Sequence, residues 1–422
     1  MPEEEPAASE EAEAPLVAAA EVPTPAVSPA AAGADAEESA CPNTSEEHRP
    51  DDRSLPSTSW PDHFQKIPRV RYESVDKLLE LMKSYAEKGE PVIVEGSRVI
   101  NTEIWASMDH LLSLLGDRKV LVKRSPSSRF RYFDLKKNIG EYEFTQPVEE
   151  TQQSLPDFLE ESERLLQEGG GERMYLQETL SGHGEMAEEF VSWNWELLIR
   201  ASHQFGWGLP DSNELFIGMV GAETPLHFDE RENLFFQVRG RKEICVFPFT
   251  DYTRLYPFPT THPCDRQSMV GDPRNVDCEV FPGFREAVGH HAVLEGGDLL
   301  YLPYGWWHWL RNLDHHPISI SFWSTTPPSD LSKGIPKTFS DHMLTRVRRN
   351  LESMIAQAHG PTKHNASMLG LKEAVVEKKA KDPYLEQVRA LLAAVKMPVE
   401  KQDVFLLEMI DGRFGIDWNK HV

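Results

Sequence analysis

The feature that most restricts the fold of this chain is a series of short β-rich runs between about Tyr175 and Trp323. The runs are rich in aliphatic and aromatic residues, and Pro, Gly and Asp residues separate them; they cover residues 215–220, 234–238, 244–247, 298–302 and 318–323. Short strands with such turns between them are typical of a β-sandwich or a small barrel. The sequence therefore predicts a core that is mainly β.

Helical patterns flank this core on both sides. Before it, Ser74 can cap a helix that ends at Gly89, and a second helix is predicted from about Leu155 to Gln167. After it, apolar residues recur at helical spacing within residues 331–422, which predicts a C-terminal helical appendage. Two interpretations of its apolar stripe remain open: the stripe packs onto the sheet as core, or it faces a second copy of the chain in a homodimer.

The first 60 residues differ in composition from the rest. They contain 14 acidic and 2 basic residues, a net charge of −12, so the remaining chain carries −24 − (−12) = −12. Because they have few large apolar side chains, they cannot bury enough surface to offset the entropy of ordering. We therefore predict a disordered acidic tail over residues 1–60, either a solubilising extension or a docking motif, followed by a β-rich domain at 61–330 and the helical region at 331–422.

Charge and cysteine content restrict the partners and the compartment. A net charge of −24 disfavours binding to nucleic acids and to anionic membranes. The four cysteines are too few and too scattered for a disulfide framework or a zinc knuckle. The N-terminus has neither a basic segment nor an apolar run of a signal peptide, and no stretch of about 18 apolar residues predicts a membrane span. A cytosolic or nuclear protein is expected.

One constellation of residues points to chemistry: His227 and Asp229, two residues apart, with His308 much later in the chain. Side chains two apart on an extended segment project from the same face, so both can reach one ion, and a distant strand can supply the third ligand. Two imidazoles and one carboxylate on a triangular face leave coordination positions open. This donor set is typical of non-haem Fe(II) oxygenases, which use the open positions for a bidentate co-substrate and O2.

The His-x-Asp pair alone is a weak signal, because both residue types are common at strand ends. Thr224 and Lys242 strengthen it, since a hydroxyl and an ammonium could hold the far end of a dicarboxylate. A lysine inside a β-rich barrel needs a buried anion to offset its desolvation. A solvent-facing Lys242 after the preceding turn remains the alternative. Asn233 and Phe235 have the spacing of a polar and an apolar wall of the same cavity.

Four other histidines come as adjacent pairs in polar, turn-like stretches: His290, His291, His315 and His316. Neighbouring side chains on an extended chain point in opposite directions and do not easily share a metal. We expect these histidines at the surface.

Several segments together resemble one known family. They are residues 171–180 (GERMYLQETL), 217–219, 224–230 (TPLHFDE), 256–259, 262–268 (HPCDRQS) and 306–308. They are similar to those of the hypoxia-inducible factor asparaginyl hydroxylases, which are JmjC-type 2-oxoglutarate oxygenases. The resemblance extends from about Ile67 to Trp323 and resumes in the C-terminal helices. The chain is identified as a divergent relative or a paralogue within that family.

The resemblance implies a double-stranded β-helix, a jelly-roll or cupin fold of the JmjC type, that binds Fe(II), 2-oxoglutarate and O2. The iron ligands it implies are His227, Asp229 and His308. The 2-oxoglutarate pocket it implies consists of Tyr175, Thr224, Asn233, Lys242 and Ser321. The residues it implies for orienting the substrate amide are Arg266 and Gln267, and those for the peptide groove are Tyr132, Asp134, Gln177, Arg231 and Trp323.

The same resemblance implies partners. The family acts on hypoxia-inducible factor α and on ankyrin-repeat proteins, and it forms homodimers through its C-terminal helices. Three positions depart from the family pattern: Arg231 stands where a Gln is usual, Phe216 where a Leu is usual, and Ser321 where an Asn is usual. These departures predict a changed charge near the substrate and a reshaped co-substrate pocket.

Three hypotheses of function follow. The first is β-hydroxylation of asparagine in a protein substrate. The second is another JmjC activity, such as lysine demethylation or hydroxylation of a different residue, which Arg231 in the groove would favour. The third is a non-catalytic binding protein that keeps the fold, which Phe216 and Ser321 would favour.

Overall fold

The computed structural model of the protein describes residues 53–180, 187–325, 341–379 and 382–422. Within these ranges the strands are β1 Gln65–Lys66, β2 Arg69–Arg71, β3 Val92–Glu95, β4 Val120–Ser125, β5 Glu149–Gln153, β6 Arg173–Thr179, β7 Pro210–Gly218, β8 Glu223–Phe228, β9 Glu232–Arg239, β10 Lys242–Phe247, β11 His290–Leu294, β12 Leu299–Leu302, β13 Trp307–Asn312 and β14 Ile318–Ser324. The helices are α1 Val75–Lys88, α2 Thr102–Trp105, α3 Met108–Leu115, α4 Leu155–Glu168, α5 Ala187–Val191, α6 Trp195–Phe205, α7 Asp341–His359, α8 His364–Val376, α9 Pro383–Ala394 and α10 Val399–Ile410.

The strands form two sheets. One has the order β1-β11-β10-β13-β8 and the other the order β2-β3-β12-β9-β14-β7-β6-β4-β5. Each sheet takes four of the strands β7–β14, and neighbouring strands within these sets of four are antiparallel. Two facing four-stranded layers built in this way form a jelly roll. The predicted fold class, a mainly β double-stranded β-helix with flanking helices and a C-terminal helical region, is confirmed.

Local sequence explains the helices that flank the sheets. The Ser74 side chain accepts a hydrogen bond from the Lys77 amide at the start of α1, and Gly89 ends this helix with φ of 65°. At the start of α4, Ser154 and Asp157 form a capping box. Both helices begin where their capping signals predict. In the described part of the chain, no helix combines the length and apolarity that a membrane span requires.

The space between the two sheets is apolar at one end. Phe235 and Leu300 from the nine-stranded sheet meet Ile244, Val246 and Leu310 from the five-stranded sheet in one buried cluster. Alternation along each strand places these side chains inside. A separate, larger core lies between the nine-stranded sheet and the N-terminal helices. Phe235, Ile244, Leu300 and Leu310 of this cluster also form an apolar wall of the cavity between the sheets.

The segment before β1 packs against the five-stranded sheet. The Ser54 hydroxyl contacts the Asp314 carboxylate at 2.9 Å, and the Thr58 amide donates to Glu243 at 2.6 Å. The Trp60 side chain is buried among aromatic residues. The last residues of the segment predicted as an acidic tail are therefore part of the folded domain. The rest of that segment, residues 1–52, lies outside the described residues.

The C-terminal helices form a core of their own from α7, α8, α9 and α10. Buried ionic groups join this core to the β-rich domain. Arg413 is fully buried and donates to the carbonyl oxygens of Pro257 and Phe258 and to Glu352 of α7. Arg349 of α7 donates to both carboxylate oxygens of Asp265, at 2.9 and 3.2 Å. The helical region is thus fastened to the loop that precedes residue 266, and its role in a homodimer stays a prediction.

Candidate metal centre and its cavity

Two strands of the five-stranded sheet bring three potential metal ligands together. His227 on β8 lies directly opposite His308 on β13, and Asp229 follows the end of β8. One ligand atom from each residue lies within 4.8 Å of the others, and His308 Nε2 is 3.8 Å from Asp229 Oδ2. The spacing of two in the sequence places the Asp and the first His on one side of the chain, and the strand pairing supplies the second His.

Both imidazoles are oriented by the backbone. His227 Nδ1 is 2.9 Å from the carbonyl oxygen of Pro225, and His308 Nδ1 is 3.0 Å from that of Trp306. A carbonyl oxygen only accepts, so each Nδ1 carries the proton and each Nε2 keeps its lone pair. Such carbonyl contacts are the usual support of metal-binding histidines. The donor set of two neutral imidazoles and one carboxylate fits a divalent transition metal with open positions.

The electrostatics of these three residues agree with a metal site. Burial and the neighbouring His308 hold the pKa of His227 far below its ordinary value, so the ring is neutral. Burial alone would raise the pKa of Asp229, but His308, His227 and Arg266 lower it overall. Trp323 Nε1 also donates to Asp229 Oδ2 at 3.2 Å. The group therefore offers two neutral donors and one anion near neutral pH, which is the protonation state that metal binding needs.

These residues line a cavity of about 320 Å³ between the two sheets. Among the residues singled out in the sequence, the following line it: Tyr132, Tyr175, Gln177, Phe216, Thr224, His227, Asp229, Asn233, Phe235, Lys242, Arg266, Gln267, His308, Ser321 and Trp323. A cavity of this size holds a small ligand together with one side chain of a larger substrate. The structure thus brings most of the predicted residues to one place.

Lys242 is the most unusual group in the cavity. It is 2% exposed, and its ammonium group donates to the Tyr175 hydroxyl at 3.3 Å. It lies over the rings of Tyr175, Phe216 and Phe235, and no carboxylate of the described residues pairs with it. Burial lowers the pKa of Lys242 to about 7. A buried cation without an anionic partner is costly, so the site is suited to an anionic ligand.

Polar groups surround Lys242. The Tyr175 hydroxyl is hydrogen-bonded to the Thr224 side chain, and burial raises the pKa of Tyr175 so that it stays protonated. Asn233 Nδ2 donates to the Ser321 hydroxyl at 3.4 Å. The Asn233 Oδ1 atom is buried without a hydrogen-bond partner in the described residues. An unsatisfied buried polar atom beside an unpaired ammonium indicates a place where a polar ligand completes the hydrogen bonding.

Arg266 and Gln267 lie on a loop next to the metal ligands. His227 and Gln267 form an isolated β-bridge, and Arg266 has a φ of 68°, in the left-handed region that is unfavourable for a non-glycine residue. Such strain is typical of functional sites. The Arg266 Nε atom is buried without an acceptor in the described residues. The Gln267 Nε2 group donates to the backbone carbonyl of Tyr132.

Lys123 is a cavity residue that the sequence analysis missed. It lies on β4 directly opposite Tyr175, and its ammonium group donates to Gln177 Oε1 at 3.0 Å. The segment VLVKRS gives only a weak strand signal, because a lysine followed by an arginine is usually solvent-exposed. Lys123 follows the apolar Val122 and precedes a run of polar residues. This pattern does not show whether its side chain faces the cavity or the solvent.

Two predicted groove residues lie elsewhere. The Asp134 side chain accepts a hydrogen bond from the Lys136 amide at 3.0 Å and begins a short 3-10 helix. Arg231 forms a half-exposed ion pair with Asp211 and lines a separate concavity with Glu230. Neither is among the residues that line the 320 Å³ cavity. Their predicted contact with a peptide stays a prediction.

The expectation that the paired histidines lie at the surface is wrong for His315 and His316. The His315 side chain is 5% exposed, and His316 Nε2 is 2.8 Å from the Ser162 hydroxyl. Burial lowers the pKa of both rings. His290 and His291 lie on β11 and are half-buried. The turn-like composition did not indicate burial, because the contacts that bury His315 and His316 come from the distant helix α4. None of the four histidines belongs to the cluster of candidate metal ligands.

Several known proteins are similar to part of this chain. HSPB1-associated protein 1 from Homo sapiens is 39% identical over 124 residues, 28% of this chain and 25% of that protein. Lysine-specific demethylase JMJ30 from Arabidopsis thaliana is 36% identical over 118 residues, 28% of this chain and 27% of that protein. Lysine-specific demethylase 8 from Xenopus tropicalis is 36% identical over 108 residues, 26% of this chain and 24% of that protein. The chain spans about a quarter of the length of these curated relatives.

The family-level comparison covers more of the chain. The cupin-like domain matches residues 78–330, more than half of the 422 residues. This range includes both sheets from β3 onwards, the three candidate ligands and Lys242. With the jelly roll, the histidine and aspartate cluster and this match taken together, the chain belongs to the cupin-like domain family.

Proposed function

We propose that the protein is an Fe(II)- and 2-oxoglutarate-dependent protein hydroxylase that acts on the β-carbon of asparagine side chains. One observation carries this proposal: the His227, Asp229 and His308 cluster shares a single cavity with Lys242, a buried cation that has no anionic partner in the described residues. Three metal ligands and an unpaired cation in one cavity suit a small molecule that chelates the metal ion through one end and carries a carboxylate at the other end.

The residues divide the work between metal and co-substrate. His227, Asp229 and His308 would hold Fe(II), which when bound with 2-oxoglutarate supplies oxidation by O2. Lys242 would pair with the distal carboxylate of 2-oxoglutarate, with hydrogen bonds from the following hydroxyl and amide groups: Tyr175, Thr224, Asn233 and Ser321. Phe216 and Phe235 border the Lys242 ammonium and keep water from it, which strengthens its pairing with an anion.

Asparagine is favoured by the polarity of the loop beside the metal ligands. Because Gln267 Nε2 donates to the Tyr132 carbonyl, Gln267 Oε1 remains as an acceptor. The buried Arg266 Nε group is a donor that has no acceptor among the described residues. A substrate carboxamide matches both groups, since its NH2 can donate to Gln267 and its oxygen can accept from Arg266. Two hydrogen bonds of this kind hold one carbon in a constant position, which governs where the oxidant reacts.

A second candidate function is demethylation of lysine, because two of the relatives are named lysine-specific demethylases. The cavity argues against it, since Lys123 and Arg266 are basic side chains in its wall. A methylated lysine would be repelled there. Arg231 points to no lysine either, because it is paired with Asp211 outside the cavity. A non-catalytic binding protein is the third candidate, favoured only by the unusual Phe216 and Ser321.

The partners in this proposal are protein substrates. Hypoxia-inducible factor α and ankyrin-repeat proteins are the ones that the resemblance suggests, and the name of HSPB1-associated protein 1 is consistent with a protein partner in this group of relatives. We also propose a homodimer through the C-terminal helices and a location in the cytosol, the nucleus or both.

The lowered pKa of Lys242 gives a pH prediction. With a pKa of about 7 the empty site loses its charge as pH rises above 7, whereas a bound carboxylate raises this pKa again. Binding of 2-oxoglutarate at pH 8 should therefore take up close to one proton, and affinity should fall by up to about tenfold per pH unit above 7. Anaerobic calorimetry in two buffers of different ionisation enthalpy measures this uptake. The same uptake in Lys242→Met would assign the proton to another group.

The function itself is tested with matched peptides. Iron-loaded full-length protein receives 2-oxoglutarate, O2 and ankyrin-repeat peptides that differ only in the central residue: Asn, Asp or trimethyllysine. We expect a gain of 16 mass units on the Asn peptide, with about one succinate formed per hydroxylation. Loss of 14 mass units from the lysine peptide alone would instead identify a demethylase. If the iron-loaded protein binds no 2-oxoglutarate under anaerobic conditions, it is the non-catalytic binding protein of the third candidate.

A further inference from the structure

Lys123 is a largely buried lysine that lines the cavity. It is on β4, opposite Tyr175 of β6 on one side and Glu150 of β5 on the other. Its side chain is only 12% exposed, and its ammonium group is 3.0 Å from Gln177 Oε1 and 3.6 Å from Glu150 Oε1. Burial lowers the pKa of Lys123, and Glu150 opposes this effect. The position of the Lys123 ammonium group is therefore determined by its contacts with Gln177 and Glu150 and not by hydration.

The contact determines which way the Gln177 carboxamide points. An ammonium group has three donors and no acceptor, so the oxygen of the amide must face Lys123. The Gln177 NH2 group is then turned away from Lys123, and it has no hydrogen-bond partner among the residues that the structure describes. Gln177 therefore contributes donors to the cavity wall.

Gln267 has the opposite orientation. Its NH2 group is engaged by the Tyr132 carbonyl, which leaves its oxygen for the cavity. The two glutamines thus present unlike groups, a donor from Gln177 and an acceptor from Gln267, although their side chains are chemically identical. The difference arises because Gln177 is bonded to the Lys123 ammonium group, whereas Gln267 is bonded to the Tyr132 backbone carbonyl.

We propose that Lys123 is a specificity-determining residue, which orients Gln177 so that the cavity accepts a carbonyl oxygen of the substrate and rejects a cationic side chain. The inference rests on the proposed function, because it concerns the substrate of the same cavity. Lys123 acts through Gln177 as a positioning residue. Its positive charge adds repulsion against lysine and methylated lysine.

Three variants of one position separate the polarity effect from a packing effect. Lys123→Met keeps the length of the side chain and removes the donor, Lys123→Arg keeps a charged donor, and Lys123→Glu reverses the polarity. With a carboxylate at 123, the Gln177 NH2 group must turn towards it, and the oxygen then faces the cavity. Lys119→Met is the matched control, since Lys119 is exposed and pairs with Asp157 at the surface.

The first measurement is steady-state hydroxylation of the Asn peptide. We expect Lys123→Met to raise KM for the peptide about tenfold, the usual effect of losing one oriented hydrogen bond, with kcat and KM for 2-oxoglutarate unchanged. Lys123→Arg should restore KM to within about threefold, and Lys119→Met should match the wild type. An unchanged peptide KM in Lys123→Met, or a loss confined to kcat, would overturn the proposal.

The second measurement is independent of turnover. Fluorescence anisotropy gives the affinities of the Asn and trimethyllysine peptides for protein that is loaded with Mn(II) and the unreactive analogue N-oxalylglycine. We expect the ratio of the two affinities to move towards trimethyllysine by at least about tenfold in Lys123→Glu. An unchanged ratio, or no binding of either peptide to any form, would overturn the proposal. A changed ratio without hydroxylation of any peptide would retain the role of Lys123 and refute the proposed function.

Discussion

His227→Ala is expected to lower substrate-dependent succinate release by at least about a thousandfold. Changes to the outer partners of a metal ligand typically cost about 10- to 100-fold, and loss of a ligand itself costs more. His227 lies opposite His308, and no other described histidine belongs to the cluster of candidate ligands that could replace its lone pair. Stoichiometric Fe(II) binding, measured anaerobically, should fall in parallel with activity.

His203→Ala is the matched control, because His203 is an exposed histidine in the last turn of α6. It should retain wild-type metal binding and activity. Circular dichroism and thermal unfolding show whether either variant has lost its fold. Full activity of a folded His227→Ala protein would mean that the metal, and with it the oxygenase chemistry, is held elsewhere.

Lys242→Met should have the second largest effect, a rise of KM for 2-oxoglutarate by at least about 30-fold. Removing one partner of a buried charge pair costs about 2–5 kcal/mol, which corresponds to about 30-fold up to several thousandfold. In this site the loss is large because the remaining groups are neutral: the Tyr175 hydroxyl, the Ser321 hydroxyl and the Asn233 amide. Fe(II) binding should remain, since Lys242 is not among the clustered ligands.

The discriminating comparison for Lys242→Met uses two co-substrates. Pyruvate has the chelating keto acid of 2-oxoglutarate but lacks its distal carboxylate. If Lys242 pairs with that carboxylate, the variant should lose its preference for 2-oxoglutarate over pyruvate in anaerobic binding to the Fe(II) protein. A variant that weakens both ligands equally would indicate a general disturbance of the cavity. Lys119→Met serves again as the control.

The candidate site was predictable where its geometry is local. The spacing of His227 and Asp229 was sufficient to place both on one side of a strand, and strand pairing then brings His308 opposite. Lys242 was recognisable because burial of a lysine at the start of a buried strand is costly unless an anion pairs with it. These features depend on alternation along single strands, which the sequence carries directly.

Other features depend on packing between distant segments, and the sequence carries them poorly. The role of Lys123 follows from the pairing of β4 with β6, which no local pattern specifies. Thr58 looked like part of a polar tail, although its amide satisfies the buried Glu243. In each case a partner far away in the chain decides the environment.

The hydrogen bonds from Arg349 to Asp265 join the helical region to the loop that carries Arg266. The loop that would read the substrate amide is tied at residue 265 to the first C-terminal helix, whereas the metal ligands stand on the sheet. Under the proposed function, a protein that binds the helical region and shifts α7 would act first on the loop that reads the substrate and then, through the His227–Gln267 bridge, on β8 and its metal ligand.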